Sequence, residues 1–264
     1  MIEETTGNWR QAISNHVENF VRNYPSRKLT RTRRLDPLVA YAAADDPLFA
    51  RLKEVVSPSH ALPADLLPDA RTVITYFLPF EPAVAESNIP GTESSRFWAV
   101  AYVETNALIS ELNEALAREL EKYGYRAALI PPTHNFDEER LISNWSHRHV
   151  AYIAGLGKFG RNNMLITAGG CCGRIGSLVT NAPLLPTPRP EGEYCLHKMN
   201  GSCGVCTARC VNGALSEAGF DRRRCYETCL HNAARYKDLG QADVCGKCLV
   251  GLPCSYRIPV TVSA

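Results

Sequence analysis

Apolar residues recur along the chain in separate stretches, and their spacing predicts helices first. Trp9, Ile13, Val17, Phe20 and Val21 have helical spacing, and the stretch 48–56 predicts a shorter helix after a proline. The most regular pattern spans 96–123, where apolar residues recur every three or four positions and a glycine follows. A further helix is expected over 137–151, ending near two histidines.

Strands are predicted between these helices. The stretch 71–80 (RTVITYFLPF) is rich in β-branched and aromatic residues and is bounded by prolines, which is typical of a buried strand. A polar loop is expected from there to about Ser95, and further strands over 125–130 and 176–182. The mixture of helices and strands favours a layered α/β or α+β domain.

A proline-rich stretch interrupts this pattern. Residues 183–193 (PLLPTPRPEGE) contain four prolines and no periodic apolar positions, so we interpret them as a linker. The sequence therefore predicts two domains, over residues 1–186 and 187–264.

Composition excludes several classes of protein. The chain has 264 residues, 45% of them apolar, and a net charge of +2, which is too mild to indicate nucleic-acid binding by itself. The first ten residues lack the basic and apolar segments of a secretion signal, and no apolar run is long enough to span a membrane. We therefore expect a cytoplasmic protein with no membrane partner.

Cysteine usage is the most informative feature of the composition. The chain has 11 cysteines, none before Cys171, and nine of them fall between Cys195 and Cys254. Structural disulfides are unusual in a reducing compartment, and an odd number cannot pair completely. Metal binding is therefore the leading interpretation of the C-terminal segment.

The spacing of these cysteines indicates two iron-sulfur clusters. Cys203, Cys206 and Cys210 match the second to fourth positions of the ferredoxin pattern C-x2-C-x2-C-x3-C, in which the fourth thiolate crosses to the other cluster. Cys195 substitutes for the first position. The second half-motif repeats this shape, which predicts two [4Fe-4S] sites: one on Cys195, Cys203, Cys206 and Cys254, and one on Cys210, Cys225, Cys245 and Cys248.

Two alternatives remain open at this point. Cys229 lies one helical turn after Cys225 and is an alternative ligand to it. The same eight thiolates would also suit two structural zinc sites, which would make the chain a zinc-stabilised nucleic-acid-binding module without redox activity. The close triplet 203–210 favours iron-sulfur, because zinc modules generally use two separated pairs.

Two segments outside the cysteines resemble the epoxyqueuosine reductase family, which is related to the reductive dehalogenases. Residues 67–74 (LPDARTVI) are similar to the segment that leads into an early strand of that family, and 154–162 (AGLGKFGRN) resembles its motif AGLGxxGKN. The resemblance covers roughly 66–254. It implies an α+β protein in which a nitroreductase-like α/β domain precedes a ferredoxin-like domain with two [4Fe-4S] clusters.

The resemblance also implies cofactors and partners. Characterised members hold a cobalamin in the first domain, so cobalamin is a candidate cofactor here. The chain would then be a reductase that takes electrons from a donor such as ferredoxin or flavodoxin. Its substrate would be a small molecule or a group carried on tRNA. The basic runs 27–34 and 222–224 would suit RNA phosphates or an acidic electron donor, although solvated surface explains them as well.

The turn at 155–162 is the predicted cofactor site. It fits G-x-G-x-x-G, but no strand precedes it in the manner of a dinucleotide-binding fold, so we interpret it as a tight turn that brings the backbone near another chain segment or a cofactor. The family resemblance favours the cofactor. The residues concerned are Gly155, Gly157, Lys158, Gly160, Arg161 and Asn162.

The catalytic acid is less clear from the sequence. The aspartate of the family would fall at Leu141, so Asp137 is the nearest candidate, and His147 and His149 are candidate proton donors. The position of both histidines at the end of the predicted helix would also suit a purely electrostatic role toward the helix dipole.

Overall fold

A four-stranded sheet forms the centre of the molecule. The computed structural model describes the backbone of residues 2–260 and the side chains of residues 9–260. With strands numbered in chain order, every neighbouring pair in the sheet is antiparallel. The spatial order is β1 (Leu38–Ala43), β2 (Thr72–Pro79), β8 (Gly173–Thr180) and β3 (Ala127–Leu129). With the helices around it, this sheet makes the protein mixed α and β, in agreement with the predicted α+β class.

The remaining regular elements are helices and two-stranded hairpins. The helices are α1 (Ile2–Lys28), α2 (Leu48–Val55), α3 (Pro63–Leu66), α4 (Pro82–Ser87), α5 (Arg96–Glu121), α6 (His147–Ile153), α7 (Leu196–Asn200), α8 (Val205–Ala208) and α9 (Arg222–Arg235). The hairpins are β4 (Phe136–Asp137) with β5 (Ile142–Ser143), β6 (Gly157–Phe159) with β7 (Leu165–Thr167), and β9 (Leu215–Ser216) with β10 (Gly219–Phe220). Short 3-10 turns lie at Lys237–Leu239 and Lys247–Leu249.

Strand β2 lies inside the sheet, as its composition predicts. All of its residues are buried, and it pairs with β1 on one side and β8 on the other. A strand covered on both faces needs a continuous apolar run instead of an alternating one, which the sequence TVITYFLP provides.

Helices α1 and α5 cover one face of the sheet. Val17 and Val21 of α1 pack with Leu108 and Leu112 of α5 against Tyr76 of β2. At the start of α5, the hydroxyl of Ser95 accepts a 3.0 Å hydrogen bond from the backbone N–H of Trp98. The predictions of both helices are confirmed, and the strand predicted over 125–130 is present in shorter form as β3.

The other face of the sheet is covered by α2 and α6. Phe49 and Leu52 of α2 pack with Val150 of α6 against Val73 and Phe77 of β2. The predicted helix after Pro47 is confirmed as α2, and the strand predicted over 176–182 is part of β8. The sheet is therefore sandwiched between two helical layers.

The predicted helix over 137–151 is wrong. The β4–β5 hairpin occupies its first part, and helix α6 begins only at His147. Asp137 accepts 2.9 Å hydrogen bonds from the backbone N–H groups of Glu139 and Arg140, and Leu141 has a φ of 54°. A side chain that binds its own backbone in this way stabilises a turn in competition with a helix. The two histidines consequently lie at the start of α6, where the proposed electrostatic effect on a helix C-terminus does not apply.

Several elements were not predicted, among them one helix and one strand of the first domain. Helix α4 lies within the stretch expected to be a loop, and β1 had no prediction. The sequence of β1, LVAYAA, contains three alanines, which lack the β-branched signal of a strand, and its pairing with β2 along six residues is what holds it extended.

The cysteine-rich segment packs closely onto the rest of the chain. Cys195, Cys206 and Val250 share one apolar cluster with Phe80 and Trp98. The segment has only short helices apart from α9, so it depends on this contact for much of its buried surface. Within residues 2–260, no helix is long and apolar enough to cross a membrane.

Candidate functional site

Four of the predicted ligands line one small cavity. Cys195, Cys203, Cys206 and Cys254 surround a space of about 20 Å³, together with the end of the glycine turn. Cys195 and Cys206 are buried, and the other two are partly buried. Helices α7 and α8 are too short to pack independently, and their place is set by the apolar cluster that contains these cysteines.

The other predicted set lines a larger cavity, which we call the central cavity. Its volume is about 410 Å³, and its lining includes five cysteines, namely Cys210, Cys225, Cys229, Cys245 and Cys248. Apolar side chains such as Phe80 and Met164 form another part of the wall. Within residues 9–260, no three cysteine, histidine, aspartate or glutamate side chains group tightly enough to hold a single metal ion.

The thiols of the central cavity interact with one another. A hydrogen bond with Cys229 lowers the pKa of Cys225 to about 7, whereas burial raises the pKa of Cys245. Cys225 and Cys229 lie one turn apart on α9, so both face the same cavity. The backbone N–H of Leu215 donates a 3.2 Å hydrogen bond to the Sγ atom of Cys210. Such N–H···S bonds stabilise sulfur ligands that carry negative charge.

The second half of the glycine turn lies at the cysteines. Gly160, Arg161 and Asn162 line the small cavity, and Asn162 also lines the central one. The amide of Asn162 donates a 2.8 Å hydrogen bond to the carbonyl oxygen of Cys248 and accepts one of 3.2 Å from the backbone N–H of Met164. Asn162 therefore connects the turn directly to a predicted ligand.

Arg161 binds the turn to the other cysteine segment. Its guanidinium donates to the hydroxyl of Thr207 at 3.2 Å and to the carboxylate of Glu217 at 2.8 Å, and lies 2.5 Å from Nε2 of His197. Nδ1 of His197 in turn lies 3.1 Å from the carbonyl oxygen of Cys203. This network fixes the segment that contains the close cysteine triplet.

The first half of the turn packs against the chain itself. A side chain at Gly155, where φ is 82°, would lie 2.7 Å from the carbonyl oxygen of Pro188, and one at Gly157 would overlap the backbone of Ile166. The ammonium of Lys158 lies 5.7 Å from the centre of the Tyr152 ring. These three residues line none of the cavities described here, so close backbone packing accounts for both glycines.

Of the three candidate proton donors, His147 lines a cavity wall, whereas Asp137 and His149 lie elsewhere. His147 lines a third cavity of about 280 Å³, the side cavity, whereas Asp137 and His149 line neither it nor the central cavity. Asp137 is exposed and holds its hairpin turn. His149 contacts the hydroxyl of Ser146 at 2.7 Å and packs on Phe159.

His147 is neutral at ordinary pH, and its tautomer follows from its partners. Nε2 lies 2.9 Å from the carbonyl oxygen of Pro131, which can only accept, so this nitrogen carries the proton. Nδ1 then accepts from the hydroxyl of Ser177 at 2.7 Å. Burial lowers the pKa of His147 to about 4, and burial with the nearby Arg148 does the same for His149.

The basic runs have mixed surroundings. Arg34 of the first run is partly buried, and its guanidinium donates hydrogen bonds of 3.1 and 2.8 Å to the hydroxyl of Thr105. Arg222 of the second run lines the central cavity, while Arg223 and Arg224 are exposed. At least part of the basic sequence therefore has a structural use.

Several residues at the site were not predicted. Asp243 lines the central cavity and accepts a 3.1 Å hydrogen bond from the hydroxyl of Tyr102, and it lies 3.3 Å from Nε2 of His134. Arg148 and Arg174 line both the central and the side cavity. Asp243 lies two residues before Cys245 and Arg148 lies between the two candidate histidines, whereas Tyr102, His134 and Arg174 reach the site from distant segments.

Cys171 and Cys172 lie beside the predicted ligands. The backbone N–H of Cys171 donates a 3.0 Å hydrogen bond to the carbonyl oxygen of Cys254, and the thiol of Cys172 donates one of 3.1 Å to the carbonyl oxygen of Leu249. Both side chains are almost completely buried. The pair holds the C-terminal cysteine segment against the start of strand β8.

Comparison with known proteins identifies similar solved structures. No protein-family model matches the sequence, and no curated protein does. An epoxyqueuosine reductase from Bacillus subtilis matches with a TM-score of 0.56 and 20% identity, over 92% of this chain and 66% of that one. An epoxyqueuosine reductase in complex with an epoxyqueuosine-modified tRNA-Tyr stem loop has a TM-score of 0.51 and 20% identity, over 81% of this chain and 57% of that one.

A second kind of enzyme has the same fold. A catabolic reductive dehalogenase matches with a TM-score of 0.56 and 17% identity, over 84% of this chain and 30% of that one. The chain thus spans about two thirds of the length of the Bacillus reductase and less of the others. The resemblance predicted from the motifs is confirmed at the level of structure: this chain has the fold of the epoxyqueuosine reductases and reductive dehalogenases.

Proposed function

We propose that this chain is an iron-sulfur reductase that passes electrons from two [4Fe-4S] clusters to an acceptor in the central cavity. The observation that carries the proposal is the sorting of the cysteines. The eight ligands predicted from spacing alone divide between two cavities in the predicted sets. Within the close triplet, Cys203 and Cys206 line the small cavity, whereas Cys210 lines the central cavity. This crossing is the arrangement that the ferredoxin pattern requires.

The donor set suits iron-sulfur clusters. The small cavity offers four thiols and the central cavity five, which are soft ligands, and the backbone adds an N–H group directed at the sulfur of Cys210. Cys195, Cys203, Cys206 and Cys254 would hold one cluster, and Cys210, Cys225, Cys245 and Cys248 the other. When bound, the clusters would supply single electrons. Cys229 remains the alternative to Cys225, because both face the central cavity from α9.

The chain's own residues would hold this centre in place. Asn162 and Arg161 tie the glycine turn to both cysteine segments, and we propose that Gly155, Gly157, Lys158 and Gly160 shape the same turn beside the cofactor. The carboxylate of Asp243 and the hydroxyl of Tyr102 are hydrogen-bonded to each other in the wall of the central cavity. Asp137, His147 and His149 stay candidate proton donors, and His147 is the one that lines a cavity.

The organisation of the chain belongs to the same proposal. A nitroreductase-like domain over 1–186 would hold the acceptor, and a ferredoxin-like domain over 187–264 would hold the clusters. A cobalamin in the first domain is a candidate acceptor, and a ferredoxin or flavodoxin a candidate donor. The similar structure that contains a tRNA stem loop supports a substrate borne on tRNA, with a small molecule as the alternative.

The similarity does not favour the zinc-stabilised nucleic-acid-binding module, because the structures with this fold are reductases and a dehalogenase. A direct test is anaerobic purification followed by an absorption spectrum and analysis of iron, sulfide, zinc and cobalt. We expect about eight iron and eight sulfide per chain. Zinc without sulfide would overturn the proposal, and cobalt in stoichiometric amount would identify the corrinoid.

A further inference from the structure

Two arginines in the cavity walls lack a carboxylate partner. Arg148 and Arg174 both line the boundary between the central and side cavities. Within residues 9–260, neither forms an ion pair, whereas Arg126, Arg161 and Arg189 each pair with an Asp or Glu. A positive charge removed from water is costly unless an anion compensates it.

The neutral contacts of these guanidiniums leave donors free. Arg148 donates through Nη1 to the carbonyl oxygen of Asn163 at 2.5 Å and contacts the sulfur of Met164 at 3.7 Å. Arg174 donates through Nη2 to the side chain of Asn106 at 2.7 Å and lies 4.5 Å from the centre of the Tyr102 ring. Its Nε atom is buried and makes no hydrogen bond. Because a guanidinium has five N–H donors, each arginine keeps several for a ligand.

The charge of the side cavity is one-sided. Its wall includes both arginines and the neutral His147 but no aspartate or glutamate. The carboxylate in the wall of the adjoining central cavity, Asp243, is already engaged by Tyr102 and His134. Polar side chains of Thr133, Asn135 and Ser146 complete a wall with a cationic side.

We propose that the side cavity binds an oxyanion, a phosphate or a carboxylate, between Arg148 and Arg174. The planar fork of a guanidinium matches two oxygens of such a group, and a pair of forks would bind it from two sides. One consequence of this inference rests on the proposed function. If a molecule is reduced in the central cavity, it carries an anionic group that reaches into the side cavity. The anion-binding property itself requires no iron.

Another use of the arginines must be distinguished from this one. The thiols of Cys225 and Cys248 interact electrostatically with Arg148 and partly offset the lowering of its pKa by burial. A positive charge there would also stabilise a negatively charged cluster. Within residues 9–260, Arg174 makes its hydrogen bond and ring contact with Asn106 and Tyr102 and not with a thiol, so it is the more decisive residue for the test.

The experiment is a titration of the anaerobically purified protein with inorganic phosphate, followed by ³¹P line broadening, and a parallel titration with acetate followed by ¹³C line broadening. We expect saturable binding of one of the two probes, which would identify the class of anion. Arg174→Gln and Arg148→Gln should each weaken binding at least tenfold, and Arg174→Lys less. Arg118→Gln, at an exposed arginine of α5 that pairs with Glu114, is the matched control and should not change it.

Three results would overturn the inference. The first is that neither probe binds saturably. The second is that binding survives both glutamine substitutions, and the third is that Arg118→Gln weakens binding as much as Arg174→Gln does. Thermal melting of every variant checks that it is folded. If Arg174→Gln does not fold, Arg174→Lys takes its place in the binding test. Iron analysis of the same samples separates the two proposals, since a protein without iron that still binds phosphate would contradict only the iron-sulfur function.

Discussion

The side-chain amide of Asn162 donates a 2.8 Å hydrogen bond to the carbonyl oxygen of Cys248. This bond joins the glycine turn to the short 3-10 segment Lys247–Leu249, which contains the predicted ligand Cys248 and lies 86 residues further along the chain. It places one polar side chain in the walls of both cysteine-lined cavities.

Replacing Asn162 should therefore weaken the predicted iron site. Asn162→Asp removes the donor to Cys248 and places a negative charge beside the thiols, so we expect faster loss of iron to a chelator. It should also lower stability by about 1–3 kcal/mol. Asn163→Gly removes the neighbouring exposed amide and serves as control. Equal rates of iron loss in Asn162→Asp and wild type would contradict this role.

Single cysteine substitutions should remove one cluster at a time. Cys206→Ser and Cys245→Ser affect different cavities, so each is expected to lower the iron content from about eight to about four per chain. Cys172→Ser keeps a hydroxyl that can bond to the Leu249 carbonyl and should retain all the iron. Loss of iron in the Cys172 variant to the same extent would contradict the assignment of the ligands.

The choice between Cys225 and Cys229 can be decided in the same way. We expect Cys225→Ser to lower the iron content by about four atoms and Cys229→Ser to leave it near eight. The reverse result would make Cys229 the ligand. If only the double variant lost iron, either thiol would be able to serve, as their positions one helical turn apart would allow.

Gly246 lies between two predicted ligands in a conformation that tolerates no side chain. Its φ is 71°, and a Cβ atom there would overlap the indole of Trp98. Gly246→Ala should cost the backbone strain of about 1–2 kcal/mol and an additional steric term. Gly201→Ala is a matched control, because Gly201 has a φ of 75° but open space around it. Urea unfolding should show that Gly246→Ala lowers the free energy of unfolding more than Gly201→Ala does. Equal decreases would contradict the contact with Trp98.

His147 should make stability depend on pH. Its pKa of about 4 in the folded protein lies below its usual 6.5, so the unfolded chain binds the proton more readily. The stability contributed by the neutral ring is complete above pH 6.5 and is lost as pH falls toward 4. Between pH 7 and 5 the loss amounts to about 2 kcal/mol. Unfolding in urea at both pH values should show that the free energy of unfolding decreases less for His147→Gln than for the wild type. An equal decrease in both would exclude His147 as the cause.

Much of the local structure follows from the sequence alone. The period of α5, the continuous apolar run of β2 and the helical spacing in α1 each determine one element, because burial on one face or on both dictates the pattern. The spacing of the cysteines likewise sufficed to predict two ligand sets. The segments 67–74 and 154–162, together with the cysteine spacing, were enough to predict the fold, which the solved structures confirm.

Tertiary contacts decided the rest. The alanine-rich β1 is a strand because β2 supplies its partner, and the stretch 136–143 is a hairpin because Asp137 binds the backbone of its own turn. Arg148, Arg174 and Asp243 come from separate segments of the chain and meet in the wall of one cavity. No local sequence pattern indicates that these charges lie close together. Sequence patterns report burial and local geometry, whereas the meeting of polar groups from distant segments depends on how the layers pack. That is why the grouping of the cysteines around two cavities was predictable here and the polar surroundings of the central cavity were not.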